Sequence, residues 1–177
     1  MNERIIGPSR PSNLRLDELD EQILWELSRD ARLSNTALAA RVHVSPSTTH
    51  ARVKALKDAG VIRSSHVELD YEALGMPVQG LVSVKLQAQA RPQIKTYARK
   101  VVRLPNVVSV FFVGGQVDFL IHIVCTSTGQ LRDFVASYIS MDPVVASTET
   151  NIVFEHLIGA EHHGTTGGLA AMRKPFE

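Results

Sequence analysis

The chain has 177 residues, a formal net charge of +1 and a hydrophobic fraction of 44%, which is typical of a soluble globular protein with two small domains. It holds no run of about 18 apolar residues, and its first residues lack the apolar segment of a signal peptide. We therefore expect neither a membrane span nor a secretory leader. The single cysteine, Cys125, excludes an internal disulfide and favours a reducing cytoplasm.

Residues 1–15 contain three arginines, two prolines and no periodicity, which predicts a flexible arm. A first helix is predicted from Leu16 to Asp30. Asp17 is its N-cap, because an aspartate side chain accepts hydrogen bonds from the free N–H groups of a first turn. Its apolar residues recur at helical spacing, so that one stripe faces a core.

A second helix is predicted over residues 35–42. Ser34 precedes it and is a good N-cap. Apolar residues recur at helical spacing as far as Val42. His43 and Val44 then break the pattern, which indicates a short turn.

A third helix follows directly, over residues 47–59. Ser45 is its N-cap, and Pro46 stands at the first position, where a missing N–H costs nothing and the fixed φ is helical. Gly60 marks its end, because glycine adopts the left-handed conformation that closes many helices. Two helices joined by a turn of about three or four residues are typical of a helix-turn-helix.

The outward face of this third helix suits the major groove of DNA. Its small, hydroxyl-bearing start would contact base edges, and its basic middle would contact phosphate or guanine. Val53 and Leu56 are predicted to face the core. The residues that we predict to contact DNA are Ser34, Asn35, Ser45, Ser47, Thr48, Thr49, His50, Arg52, Lys54 and Arg63.

Charge is segregated within this half of the chain. Residues 41–63 hold five Lys/Arg and one Asp, whereas residues 17–75 as a whole hold seven Lys/Arg and ten Asp/Glu. We base the prediction of DNA binding on the basic patch of residues 41–63, because salt screens interactions beyond about 10 Å. We expect the acidic face to point away from DNA. The alternative is a solvated helical hairpin that binds nothing.

The segment after Gly60 alternates apolar and polar residues, which predicts a strand pair or wing over residues 61–70. Ser64, Ser65 and His66 would lie at its tip, near the DNA backbone. Met76 and Pro77 then mark a domain boundary.

Residues 76–158 predict a ferredoxin-like domain, with strands and helices in the order βαββαβ. The predicted strands cover 78–87, 107–113, 118–126 and 144–157, and the predicted helices cover 92–103 and 128–139. Helices would cover one face of the sheet. The other face, on strands rich in Val, Ile and Phe, is expected to pair with another subunit. Residues 159–177 are rich in glycine and predict a flexible tail.

Residues 16–75 contain Leu-Asp-x-x-Asp before an apolar helix, a Val-x-Val-Ser turn, Arg-Val-x-x-Leu, Gly-Val-Ile and a closing Leu-Gly. This ordered set resembles the Lrp/AsnC, or feast/famine, family of transcriptional regulators, and the resemblance continues to about residue 158. It implies an α+β protein with an N-terminal winged helix-turn-helix and a ferredoxin-like RAM domain. It also implies a nucleoid-associated, cytoplasmic regulator that binds double-stranded DNA and an amino-acid effector, without a cofactor. Its homodimers would assemble further into tetramers or octamers.

The resemblance places the effector near the hairpin between the second and third strands, at a motif close to Thr-Gly-x-x-Asp-aromatic. Residues 114–119 match at Gly115 and Asp118, whereas Gly114 replaces the threonine. Glycines let the backbone approach a carboxylate, and an aspartate can bind an α-ammonium group. The predicted effector residues are Gly114, Gly115, Gln116, Val117 and Asp118, with Ser147, Thr148 and Thr150 of a neighbouring subunit. The alternative is a simple hairpin in which Asp118 stabilises the turn.

Two other functions compete with a ligand-gated regulator. An effector-independent DNA-packaging protein of the same fold would bind operator and random DNA equally. An enzyme would need a catalytic set, and the sequence offers no Ser/His/Asp or Cys/His arrangement, phosphate loop or metal-ligand cluster. We therefore expect no enzymatic activity and no metal. His122 and Cys125 are predicted to be structural.

Overall fold

The computed structural model describes residues 15–65 and 67–157. They belong to two compact units, divided near residue 69. The predicted tail, residues 1–14 of the predicted arm, and His66 at the tip of the predicted wing lie outside the described residues. Within the described ranges, no helix has the length and apolar character needed to cross a lipid bilayer.

The first unit contains three helices around a small apolar core. They are α1 (Glu18–Arg29), α2 (Asn35–Arg41) and α3 (Pro46–Asp58). The N-caps predicted for them are confirmed: Asp17, Ser34 and Ser45 each accept a hydrogen bond from a backbone N–H of the first turn. The buried core residues are Ile23, Leu38, Val42 and Leu56.

Two residues with positive φ shape the ends of the helix-turn-helix. His43 has φ 55° in the turn between α2 and α3, and Gly60 has φ 71° after α3. At Gly60 the chain closes as expected, since the N–H of Gly60 donates to Lys57 and that of Val61 donates to Leu56. His43 has a side chain, so its left-handed backbone conformation costs free energy.

The predicted strand pair after α3 is wrong for the described residues 61–65 and 67–70, which form no strand. Val67 and Leu69 are 83% and 53% exposed. Val61 and Ile62 pack against the helical core, but the apolar residues further along form no buried face. A two-stranded hairpin without such burial is only marginally stable in water.

The second unit is a four-stranded antiparallel sheet with helices on one face. Its strands are β1 (Val78–Leu86), β2 (Val107–Phe112), β3 (Phe119–Cys125) and β4 (Val145–Val153), in the spatial order β2-β3-β1-β4. Together with the helices between them, this order confirms the predicted βαββαβ arrangement.

The two helices of this unit are shorter than predicted. α4 (Ile94–Val101) follows a 3-10 helix (Ala88–Gln93) that contains Pro92, and α5 (Thr128–Phe134) continues into a π-helix (Val135–Ser140). Proline has no N–H to donate to the helical ladder, which explains the later start of α4. Apolar periodicity does not distinguish an α-helical turn from a π-helical one.

The core lies between the helices and one face of the sheet. Val82, Val84, Phe119, Ile121 and Ile123 are all fully buried there. Alternate residues of each strand supply this face, as the period of two requires.

The opposite, open face of the sheet is mixed rather than apolar. Phe111 is 54% exposed and pairs with the half-buried Leu120. Beside them, His122 Nε2 lies 2.8 Å from Gln79 Oε1. Burial, and then the nearby His156, lower the pKa of His122. The outward apolar residues that we expected are therefore concentrated on β2 and β3 and do not cover the whole sheet.

Candidate DNA interface and candidate effector hairpin

The start of α3 presents a cluster of hydroxyl groups to solvent. Ser45 Oγ accepts a hydrogen bond of 3.1 Å from the N–H of Thr48. The same Oγ lies 2.9 Å from Ser47 Oγ and 2.8 Å from Thr48 Oγ1. All three side chains are exposed. The cap that starts the helix therefore also orders the small polar groups that a major groove can accommodate.

The neighbouring helix α2 is tied to this cluster. Asn35 Nδ2 donates a hydrogen bond of 2.7 Å to the carbonyl oxygen of Pro46, while Ser34 Oγ caps α2 by accepting from the N–H of Ala37 at 3.1 Å. Arg41, at the end of α2, forms an ion pair of 2.7 Å with Glu26 of α1. These contacts fix where α3 starts relative to the other two helices.

The outward face of α3 agrees with the predicted pattern. Ser47, Thr48, His50 and Lys54 are exposed. Lys54 Nζ lies 2.6 Å from Asp58 Oδ2, one helical turn further on, and the hydrogen bond to Asp58 raises the pKa of Lys54. The face therefore combines neutral donors and acceptors near its start with positive charge further along.

The structure contradicts the prediction that Thr49 contacts base edges. Its side chain is fully buried, and its Oγ1 donates a hydrogen bond of 3.1 Å to the carbonyl of Ser45. The signal was present in the sequence. Thr49 precedes Val53 by four positions and Leu56 by seven, which places all three on the inward face of α3.

Arg52 faces the first helix. Its Nη1 lies 2.7 Å from Asp17 Oδ2 and 3.3 Å from both carboxylate oxygens of Asp20. Asp17 and Asp20 form a capping box at the start of α1. The structure thus gives Arg52 a role in joining α3 to α1, where the sequence predicted contact with phosphate or guanine. A basic residue 32 positions from its partner offers no local signal of this pairing.

Arg63 lies after α3 in the segment without strands. It is exposed there, as is Lys57 on the last turn of α3. The positive charge near the helix-turn-helix is therefore accessible to solvent on both sides of Gly60.

The predicted effector hairpin joins β2 to β3. Gly114, Gly115 and Gln116 are exposed, and Gly115 has φ 128°, a conformation that glycine adopts without strain. Asp118 is buried. Its Oδ2 accepts a hydrogen bond of 2.8 Å from the N–H of Leu86.

The carboxylate of Asp118 therefore has a structural partner already. The N–H of Leu86 follows a register shift between β1 and β4 and would otherwise lack its ladder partner. Lys85 Nζ lies 3.7 Å from the same carboxylate oxygen. This arrangement matches the alternative in which the aspartate stabilises the turn, and it leaves an effector role for Asp118 as a prediction.

The structure does not bring the predicted threonines to this hairpin within one chain. Thr148 pairs with Val84 and Thr150 with Val82 on β1, which separates both from β3. Two strand spacings amount to about 10 Å. Thr148 Oγ1 also lies 2.8 Å from Ser140 Oγ at the end of the π-helix. Within one chain these hydroxyls therefore do not reach the hairpin, and their supply by a neighbouring subunit stays a prediction.

A groove that the sequence did not indicate lies between β4 and the helices. It has a volume of about 490 Å³. Its lining residues are Thr128, Leu131, Arg132, Val135, Ala136, Ser140, Met141, Thr150 and Ile152. The groove depends on a π-helical turn and an edge strand. Among the described residues, no group of three or more His, Cys, Asp or Glu side chains is placed to hold a metal ion.

Comparison with known proteins agrees with both units. A winged helix-turn-helix DNA-binding model matches residues 16–63, and a Lrp/AsnC ligand-binding domain model matches residues 79–160. The HTH-type transcriptional regulator AldR of Mycobacterium tuberculosis is 43% identical over 151 residues, covering 85% of this chain and 83% of that protein. The leucine-responsive regulatory protein of Rhizobium meliloti is 31% identical, over 81% of this chain and 92% of that protein.

Solved structures match the chain over both units. The crystal structure of MtbAldR has a TM-score of 0.73 and 39% identity, and the match covers 85% of this chain and 99% of that one. E. coli AsnC has a TM-score of 0.72 and 28% identity, with 82% and 96% covered. A Neisseria meningitidis transcriptional regulator in complex with L-Met has a TM-score of 0.74 and 28% identity, with 81% and 93% covered.

A capped helix-turn-helix followed by a ligand-binding α+β domain defines a DNA-binding transcriptional regulator with a ligand-binding domain. The chain belongs to the Lrp/AsnC family. Its relatives are named as transcriptional regulators, in agreement with the expectation that the protein is not an enzyme.

Proposed function

We propose that the protein binds operator DNA sequence-specifically as a symmetric oligomer, and that an amino acid bound at its second unit changes that binding. The exposed hydroxyl cluster at the start of α3 is the observation that carries this proposal. Ser45, Ser47 and Thr48 are held together by hydrogen bonds, so their positions are set before DNA arrives, and a preorganised donor set loses less entropy on binding.

In this proposal some residues on the outward face of α3 contact base edges and others contact phosphates. Ser47, Thr48 and His50 contact base edges, because they stand at the helix start that enters a major groove. Lys54 contacts phosphate or guanine, and the last turn with Lys57 contacts phosphate. Arg52 serves by orienting α3 through the capping box of α1.

Assembly would join two open sheet faces. Phe111 is more than half exposed, and Leu120 lies next to it on the adjacent strand. Burying such side chains against a second copy contributes about 25 cal/mol for each Å² of apolar surface. A dimer related by a two-fold axis would place two α3 helices on half-sites about one helical turn apart, or a multiple of it.

The effector proposal rests on the exposed glycine hairpin and on the names of relatives. Gly114 and Gly115 leave the backbone open, as their position requires for close approach of a ligand carboxylate. The N. meningitidis structure is described as an L-Met complex, and the R. meliloti relative is named leucine-responsive. Both names point to an amino acid. Thr148 and Thr150 would enter such a site from another subunit.

The test is a DNA-binding titration with the full chain. The protein is titrated against its own upstream DNA and against a scrambled duplex, at two salt concentrations, with and without a pool of amino acids. We expect preferential binding to the upstream DNA and a shift in affinity caused by one amino acid. Equal binding to both duplexes, unaffected by amino acids, would instead establish the DNA-packaging alternative.

A variant tests the face of α3 directly. Lys54→Ala should weaken binding to all sequences and lower the salt dependence of log K by about 1, because one phosphate contact is lost. Arg132→Ala is the matched control, since Arg132 is an exposed cation in the other unit that pairs with a neighbouring aspartate. An effect confined to one base position, with the salt dependence unchanged, would contradict the phosphate role of Lys54.

A further inference from the structure

The second unit carries a one-sided concentration of positive charge that neither the sheet nor the hairpin explains. Residues 69–156 hold seven Lys/Arg and seven Asp/Glu. Five of those seven cations lie within residues 91–103, which contain no acidic residue. A unit that is neutral overall therefore has a strongly basic helix.

The spacing of Lys95 and Arg99 places both on one side of α4, and Arg91 and Arg103 flank this helix. A separation of four residues brings side chains to the same helical face, and the opposite face buries Tyr97 and Val101 in the core. Four exposed cations repeat at this separation through α4 and the residues that flank it. This basic stripe consists of Arg91, Lys95, Arg99 and Arg103.

Part of the stripe borders a shallow hollow of about 430 Å³, lined by Thr96, Arg99, Lys100 and Arg103. Lys100 Nζ lies 2.6 Å from the carboxylate of Asp142, yet the Lys100 side chain remains 58% exposed. Guanidinium groups beside a hydroxyl donor are suited to phosphate oxygens, which accept several hydrogen bonds at once.

A merely solvated face does not account for the pattern. Like charges four residues apart destabilise an α-helix, and Lys95 and Arg99 form such a pair within α4. Lys95 also lies in the first turn of α4, which holds no acidic residue, although the helix dipole there favours negative charge. A solubilising face made of both signs would avoid these costs, so the arrangement favours a partner with regularly spaced negative charge.

We propose that the basic stripe binds the phosphate backbone of double-stranded DNA outside the segment that α3 reads. This inference rests on the proposed function, because it extends an existing DNA contact to the second unit. The stripe runs roughly 12 Å from Lys95 to Arg103, a length comparable with three to four base pairs at about 3.4 Å each. Such contacts carry no sequence information and add affinity only where DNA continues beyond the operator.

The experiment compares two charge reversals in the full chain. Lys95→Glu changes the stripe, and it suits the helix dipole at the start of α4, so the fold should persist. Arg132→Glu makes the same change of charge elsewhere in the unit, at an exposed residue. Each variant is titrated over a range of salt against a duplex that spans only the operator and against one with long flanks.

We expect Lys95→Glu to leave binding to the short duplex unchanged. On the long duplex it should lower the affinity about tenfold at 50 mM salt and reduce the slope of log K against log salt by about 1, the value for one phosphate contact. Arg132→Glu should match the wild-type protein on both duplexes. If Lys95→Glu disturbs folding, Arg91→Glu repeats the test, because Arg91 lies outside α4.

Equal effects of Lys95→Glu and Arg132→Glu on the long duplex, or no effect of either, would overturn the proposal. An effect of Lys95→Glu on the short duplex as large as on the long one would also overturn it. Failure of the wild-type protein to bind the short operator duplex would be a different result, because it would remove the proposed function of α3 itself.

Discussion

Arg52 of α3 and Asp17, the N-cap of α1, lie 2.7 Å apart between Nη1 and Oδ2. The same guanidinium is 3.3 Å from Asp20, whose side chain is almost completely buried. One arginine therefore joins α3 to the capping box of α1. Lys54, two positions further along, pairs with Asp58 in solvent on the same helix.

Because their partners differ, we expect alanine at Arg52 to affect mainly stability and alanine at Lys54 to affect mainly DNA binding. Arg52→Ala should lower the free energy of unfolding by about 1–2 kcal/mol, because it leaves the buried Asp20 carboxylate without its cationic partner. Lys54→Ala should leave stability almost unchanged, since an exposed pair contributes little, and should weaken DNA binding instead. Urea unfolding and DNA titration of both variants provide the check. Unaltered stability in Arg52→Ala would show that the pair does not hold α3 in place.

The capping box also predicts a pH dependence. The hydrogen bond from the N–H of Asp20, aided by the charge of Arg52, lowers the pKa of Asp17 below its usual range. A lowered folded-state pKa contributes stability that is complete above the unfolded value of about 3.9 and is lost as the pH falls through the folded value. We expect Asp17→Asn, which keeps a capping side chain, to make unfolding less dependent on pH below about 4. Acid titrations of Trp25 fluorescence that superimpose for the two proteins would contradict this role.

We expect a single methyl group added at Gly60, after the end of α3, to lower stability. Gly60 has φ 71°, and a Cβ at this position would contact no atom within 4 Å. Gly60→Ala should therefore destabilise the first unit by about 1 kcal/mol through backbone conformation alone. Gly114→Ala is the matched control, since a Cβ there is equally free of contacts and the φ of Gly114 lies outside the left-handed region. Equal unfolding midpoints for the two variants would contradict the assignment of strain to Gly60.

We expect that replacing Tyr97 by Phe removes a buried polar group without loss of stability. Among the described residues, its buried hydroxyl has no hydrogen-bond partner, and burial, followed by the charge of Asp142, raises its pKa. The ring still packs against Phe119, with centroids 5.3 Å apart. Tyr97→Phe should keep or increase stability, by up to about 1 kcal/mol, whereas Tyr97→Ala should cost about 3 kcal/mol or more. A clear loss of stability in Tyr97→Phe, measured by urea unfolding, would reveal a partner for the hydroxyl.

Asp118 offers a way to separate a structural role from effector binding. Asp118→Ala removes the acceptor of the Leu86 N–H, so it should destabilise the second unit by about 1–3 kcal/mol. Asp118→Asn keeps an acceptor oxygen and removes the charge that would bind an α-ammonium group. We expect Asp118→Asn to bind operator DNA normally and to lose the response to the amino acid. An unchanged effector titration in this variant would leave the aspartate with its structural role alone.

Local chemistry in the sequence was sufficient for much of the fold. Ser34 and Ser45 determine where two helices begin, because a cap needs only the N–H groups of its own first turn. Gly60 ends α3 by its own conformational freedom. The alternating apolar residues of β1 and the nearly continuous apolar run of β3 place both strands in the core. Each of these features depends on residues a few positions apart, which a single sequence displays directly.

Tertiary structure alone decided what several polar side chains do. Arg52 has its partner on α1, and Asp118 has its partner at the end of β1, each 32 residues away. The segment after α3 alternates like a strand, but Val67 and Leu69 stay exposed while Val61 and Ile62 pack on the helical core. A polar group takes whichever charged or hydrogen-bonding partner the folded chain brings nearest, because leaving it unpaired in the interior costs free energy. The sequence by itself therefore determined the helix starts, the order of helices and strands, and the family, whereas long-range packing decided which charged residues are already paired within the chain.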